Sequence, residues 1–184
     1  MMRSFLLVSV WFELIWLLAV LGQEQWQWLT TLLVVVTLLF SAWRLSVAVG
    51  RICAVAVTGI AIDVANMHLG LFFFINPHLP VWLIALWFIF VWFAAFAIPA
   101  LSHLPSWLVI IATGLGGALS YWAGYRFGAV GFGLPVFYTV LALFLEWLGV
   151  SLLLIKVFSN ENVNRHTFPE HTAVDRRNSQ RGRG

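Results

Sequence analysis

At 184 residues the chain has room for about six membrane-spanning helices of about 20 residues with short connections, but not for a further soluble domain. Its composition, 62% hydrophobic and 9% charged, excludes an ordinary soluble domain, for which about 45–50% and about 25% are typical. The net charge of +3 arises entirely from Lys156 onward, which indicates the anionic-lipid side of a membrane rather than a nucleic acid.

The first two predicted spans are bounded by charged and aromatic residues. The apolar run over residues 5–22 follows Arg3 and resembles a signal peptide, but Glu13 interrupts it and no A-x-A site follows. These features favour a first membrane span that is not cleaved from the protein. Tryptophans lie at both ends of the second predicted span, residues 26–43, as an aromatic belt requires.

Proline-containing breaks separate the later spans. The turn from Asn76 to Pro80 ends the third, while Pro105 and Pro135 suit the first turns of the fifth and sixth helices. The four later spans are predicted over residues 52–75, 81–101, 106–125 and 135–156. The predicted fold class is therefore all-α, a polytopic membrane helix bundle over residues 1–158. Residues 159–184 are too polar to fold alone and are predicted to be a basic, disordered cytoplasmic tail.

Basic residues predict the orientation of the bundle. With six spans, Arg3, the connection between Arg44 and Arg51, and the arginine-containing tail fall on one side, while Arg126 falls on the other. By the positive-inside rule the first side is the cytoplasm, so both termini are predicted to be cytoplasmic.

A stripe of small residues marks the fifth span. Gly116, Ser120, Gly124 and Gly128 recur every fourth residue, which in a helix places them along one face that another backbone can approach closely. The predicted partner is another helix of the same chain, because the connections are short. Homodimerisation through the same face is the alternative.

The segment from LPVWLIALWFIFVWFAAFAIPALSHLPSWL to GLGGALSYWAGYRFGAVGF resembles a family of small bacterial inner-membrane proteins known as domain of unknown function 2878. The features that carry the resemblance are a P-x-W-L-x-x-L-W span, a histidine in the next turn and a G-G-x-x-S-Y-x-A-G helix. They fall on Pro80, Trp82, Trp87, His103, Gly116, Gly117, Ser120, Tyr121, Ala123 and Gly124. The resemblance implies an inner-membrane location, a helical fold and a connection with lipids, but no catalytic residues.

Asp63 is the most informative polar residue, because a charge in the middle of a span costs about 2.5–3.5 kcal/mol on insertion scales. Ala56, Gly59, Asp63, Asn66 and Gly70 follow alternating spacings of three and four, so they are predicted to form one small, polar stripe. The stripe is interpreted as a binding or proton-relay face. A structural contact between helices is the alternative.

Five other residues are candidates for a polar site. Glu13 and Glu146 are mid-span carboxyl groups that could form protonated hydrogen bonds between helices instead of ion pairs. His68 is predicted near the outer end of its span, His103 in a cytoplasmic turn, and Arg126 at an interface, where it contacts lipid headgroups. No metal is expected, because the histidines and carboxylates lack H-x-x-x-H spacing.

Three functions remain open from these residues. The first is a membrane protein that binds or moves a hydrophobic or lipid-related small molecule. The second is a membrane enzyme acting on lipids, with Asp63, Glu13 and His103 as acid–base candidates. The third is a structural or assembly subunit. The absence of a catalytic motif favours the first function. No cofactor is expected. The expected partners are membrane lipids, a hydrophobic ligand and a second copy of the chain.

Overall fold

The structure, a computed structural model, describes residues 2–44 and 49–159. The predicted tail beyond residue 159 and the connection at 45–48 lie outside these ranges. The described chain forms six helices and two short strands: α1 Met2–Gly22, α2 Gln27–Arg44, α3 Val49–His68, β1 Phe72–Phe73, α4 Val81–Ala100, α5 Ser106–Arg126, β2 Gly131–Phe132 and α6 Val136–Phe158.

All six helices are long and apolar enough to cross a membrane. The predicted all-α class and the predicted number of spans are therefore confirmed. The ends of the predicted spans agree with the helices within a few residues, except at the end of the third span.

α4 is the central helix of the bundle. It packs against α1, α2, α3 and α6, and it is the most buried of the six candidate spans. Its sequence is apolar on all sides, as expected for a helix surrounded by others. α5 packs mainly against α6, and α1 packs mainly against α4, so α1 and α5 are not packed against each other along their lengths.

Tryptophan side chains connect the helices through their indole N–H groups. The Nε1 of Trp92 in α4 donates a hydrogen bond to Ser41 Oγ of α2 at 2.8 Å, and the Nε1 of Trp11 in α1 donates to Thr37 Oγ1 of α2 at 3.0 Å. The Trp92 indole is buried and needs such an acceptor, because an unpaired N–H in an apolar interior is costly.

The third helix ends earlier than predicted, at His68 rather than near residue 75. Gly70 adopts a positive φ of 73°, which terminates the helix, and the chain then forms β1. β1 pairs antiparallel with β2, with Phe72 opposite Phe132. We refer to the end of the bundle that carries these strands as the ribbon end.

The other end of the bundle is tied together by Arg51. Its Nη1 donates a hydrogen bond to the carbonyl oxygen of Val157 at 3.3 Å, which joins the start of α3 to the end of α6. Arg44 and Lys156 lie at the same end, because α2 ends there and α6 reaches it in its last turn.

Candidate functional site

A cleft of about 500 Å³ lies between α1 and α5. Phe12, Glu13 and Trp16 of α1 form one wall, and α5 side chains between residues 112 and 123 form the other. Side chains of α4 between residues 83 and 93, with Trp147 of α6, form the floor. The volume falls within the range of about 300–1,000 Å³ that is typical of sites for small molecules.

The cleft is open because α5 presents small residues to it. A Cβ atom built on Gly116 would meet nothing within 4 Å, and Ala112 and Ala123 are also short. Glu13 and Gly116 are both exposed, so each wall is accessible from outside the bundle. All of these residues lie within candidate spans, so the cleft opens on a side surface of the bundle.

One hydrogen bond crosses the cleft. The Nε1 of Trp16 in α1 donates to Ser120 Oγ of α5 at 2.7 Å. This contact holds the two walls at a fixed separation near the ribbon end, because Trp16 is six residues from the end of α1 and Ser120 is six residues from the end of α5.

The surface of the cleft is mostly aromatic. Phe12 and Phe93 stack with ring centroids 4.7 Å apart, and Trp87 and Trp147 stack at 5.3 Å. Phe90 meets Trp147 edge to face at 4.9 Å. These ring pairs give the wall and the floor a continuous apolar surface against which a hydrophobic molecule can pack.

Directly behind this surface lies Asp63 of α3, which is 2% exposed. Its Oδ2 accepts a hydrogen bond from Trp87 Nε1 at 2.6 Å, and its Oδ1 accepts one from the Tyr121 hydroxyl at 2.6 Å. Both donors line the cleft. Gly59, one turn earlier in α3, makes room for this arrangement, because a Cβ there would overlap the Trp87 ring. Asp63 therefore fixes the positions of two side chains of the cleft.

A second polar contact joins α3 to α6. Asn66 is 3% exposed, and its Nδ2 donates a hydrogen bond to Glu146 Oε2 at 2.7 Å. The predicted polar stripe of α3 thus faces the bundle interior through Asp63 and Asn66, and it brings Glu146 into the same region. Gly70, the last member of the predicted stripe, lies beyond the helix.

Glu13 is not part of this polar group. It lies on the α1 wall of the cleft and makes no hydrogen bond or ion pair within residues 2–44 and 49–159. The three carboxyl groups considered from the sequence therefore do not form one cluster.

The remaining candidates are scattered. His68 is exposed at the end of α3, and His103 is exposed in the turn after α4, where its Nδ1 lies 3.1 Å from the carbonyl oxygen of Ala100. Arg126 is exposed at the end of α5, with its guanidinium 5.9 Å from the centre of the Trp122 ring. Within the described ranges, no three His, Cys, Asp or Glu side chains are grouped as metal ligands would be.

The small-residue stripe of α5 differs from its predicted form. Gly128 lies outside the helix with a φ of 71°, so it serves the turn after α5 instead of helix packing. Gly116 and Ser120 line the cleft, and a Cβ on Gly124 would meet only Val130, at 3.4 Å. The close approach occurs one residue along, at Gly117, where a Cβ would overlap the Trp147 indole of α6.

Trp16, Trp87, Tyr121 and Trp147 are site residues that the sequence reasoning did not identify as such. Trp87 and Tyr121 entered the sequence analysis only as features of the family resemblance, and Trp16 and Trp147 did not enter it. For Trp16 and Trp87 the usable signal was the indole N–H, which needs an acceptor inside an apolar bundle and finds one in Ser120 and in Asp63.

The fold and the cleft define a class: a polytopic membrane protein of six candidate spans, with an apolar cleft between two helices and a polar group behind it. The chain belongs to the family described as "Protein of unknown function (DUF2878)", whose model matches residues 5–153. This match confirms the family resemblance noted from the sequence. No curated protein and no solved structure matches the chain.

Proposed function

We propose that this protein binds or moves a hydrophobic or lipid-related small molecule, and that the molecule occupies the cleft between α1 and α5. The observation that carries the proposal is the cleft itself: about 500 Å³, formed between candidate spans, and lined mainly by aromatic and aliphatic side chains. Apolar concave sites with few polar groups are the usual form of a ligand site.

Binding accounts for the polar groups better than catalysis does. Both oxygens of Asp63 already accept hydrogen bonds, from Trp87 and from Tyr121, so the carboxyl group supports the cleft surface and does not face the cleft directly. His103 lies in the turn after α4, whereas Asp63 lies near the ribbon end of α3. The acid–base candidates of the enzyme hypothesis therefore do not converge on one substrate position.

The proposed location is the bacterial inner membrane, with both termini in the cytoplasm. Arg44, Arg51 and Lys156 lie at one end of the bundle, and Arg126 lies at the ribbon end. The excess of basic residues supports a cytoplasmic position for the first end and an external position for the ribbon end.

The test is native mass spectrometry of protein purified from membranes in mild detergent, with a pair of matched glycine variants. Gly116→Phe places a ring in the cleft, whereas Gly149→Phe adds the same ring to an exposed position of α6 that does not line the cleft. Neither glycine has an atom within 4 Å of a built Cβ, so both variants should fold.

The parent and Gly149→Phe are expected to retain a co-purified small molecule that Gly116→Phe lacks. Equal retention in all three proteins, or none in the parent, would contradict the proposal.

A further inference from the structure

Glu13 has an unusual position for a carboxyl group. It lies nine residues before the end of α1 at Gly22, which is about 13 Å of helix, so its short side chain cannot reach the membrane surface. It also makes no hydrogen bond or ion pair within the described ranges. An isolated ionisable group at this depth is costly to retain. We therefore look for the partner of the Glu13 carboxyl group in the cleft that Glu13 lines.

The cleft contains no positive charge of its own. None of its lining residues is Lys, Arg or His, and its other polar side chains are neutral: Thr113, Ser120 and Tyr121. The Ser120 hydroxyl already accepts a hydrogen bond from Trp16, and the Tyr121 hydroxyl donates a hydrogen bond to Asp63. The protein thus offers Glu13 an apolar cavity without a cation.

The walls next to Glu13 favour a cation. Phe12 and Trp16 precede and follow it on α1 by one and three residues and line the same cleft, and Phe93 stacks on Phe12 from α4. Aromatic rings attract cations through their electron-rich faces, and the attraction is greatest where water is excluded.

We propose that the molecule bound in the cleft is a lipophilic cation, a quaternary or protonated nitrogen or a phosphonium centre carrying apolar arms, whose charge pairs with Glu13. This inference rests on the proposed function and specifies its ligand. A fatty acid would bring a second negative charge to Glu13, and a neutral hydrocarbon chain would leave Glu13 without a partner. A lipophilic cation satisfies Glu13 while its apolar arms cover the aromatic floor.

The experiment compares two probes by equilibrium dialysis against purified protein in a non-ionic detergent. Tetraphenylphosphonium is the cation, and triphenylphosphine oxide is the neutral arylphosphorus control. Glu13→Gln keeps the shape of the side chain but removes its charge. The matched variant is Glu24→Gln, which removes one charge at the turn after α1, outside the cleft, and leaves an acceptor for Asn76.

The parent and Glu24→Gln are expected to bind the cation at least about tenfold more tightly than the neutral probe. Glu13→Gln should lose this preference and retain binding of the neutral probe. If Glu13→Gln binds the cation as tightly as the parent does, or if the parent does not distinguish the probes, the ligand class is wrong.

Gly116→Phe separates this failure from failure of the proposed function. If the cleft is the site, this variant weakens binding of whichever probe the parent binds, charged or neutral. If Gly116→Phe leaves binding of both probes unchanged, the cleft is not the site, and the proposed function fails together with the cation inference.

Discussion

The two adjacent glycines of α5 allow a sharp test of how this helix is packed. The structure places Gly117 against the Trp147 indole, so closely that a Cβ would overlap the ring, whereas Gly116 faces the open cleft. Gly117→Ala and Gly116→Ala therefore make the same chemical change one residue apart, on two different faces of one helix.

The expected magnitudes follow from the two environments. Replacing Gly by Ala inside a helix stabilises it by about 0.5–1 kcal/mol, because less backbone entropy is lost on folding. Gly116→Ala should show only this gain. Gly117→Ala should also force Trp147 to move, and overpacking of this kind costs about 1–3 kcal/mol. The Trp147 ring stacks on Trp87, so the displacement also reaches the floor of the cleft.

The measurement is the free energy of unfolding of each variant in an SDS titration from mixed micelles, with size-exclusion chromatography of the native protein. Gly117→Ala should be less stable than Gly116→Ala by about 1–3 kcal/mol, and both should keep the oligomeric state of the parent. Equal stabilities would refute the contact between α5 and α6 at Gly117. Loss of an oligomer without loss of stability would instead favour the dimer alternative for this helix.

Two further predictions concern the polar network and the topology. Asp63→Leu leaves the Trp87 and Tyr121 donors unpaired, at a cost of about 1–3 kcal/mol each, whereas Asp63→Asn keeps one acceptor oxygen. Asp63→Leu should therefore unfold at a lower SDS concentration than Asp63→Asn. Equal stabilities of the two variants would argue against the two hydrogen bonds. A reporter enzyme active only in the periplasm should be inactive when fused after Ser159 and active when inserted after Gln25, and the reverse pattern would invert the proposed orientation.

The spans could be predicted from the sequence because their signals are local. Apolar length, terminal tryptophans and proline-containing turns act within a few residues, and they identified all six helices. The early end of α3 depends instead on the positive φ of Gly70 and on pairing between β1 and β2, whose paired residues Phe72 and Phe132 are far apart in the chain. That pairing leaves no periodic signal in either segment.

The polar site could be predicted only in part from the sequence, for a related reason. The spacing on α3 correctly indicated that Asp63 and Asn66 share a face, and both are buried. Their partners lie on other helices: Trp87 is 24 residues from Asp63, Tyr121 is 58 residues away, and Glu146 is 80 residues from Asn66. Helical periodicity describes a face but not which helix covers it.

α5 shows the same limit of sequence-based prediction within a single helix. Gly116 and Gly117 both belong to runs of small residues, at spacings of four and three, and either run is compatible with a packed face. The choice between them depends on where the Trp147 ring lies, which is a property of the assembled bundle. The sequence therefore indicated close packing on this helix, but assigned it to the face that lines the cleft.

The most direct test of the central claim is an experimental structure of the protein in a lipid nanodisc, prepared from native membranes without added ligand. The account predicts that α1 and α5 are separated at Glu13 and Gly116, with elongated non-protein density between them. Direct packing of α1 against α5, with no space beside Gly116, would contradict it.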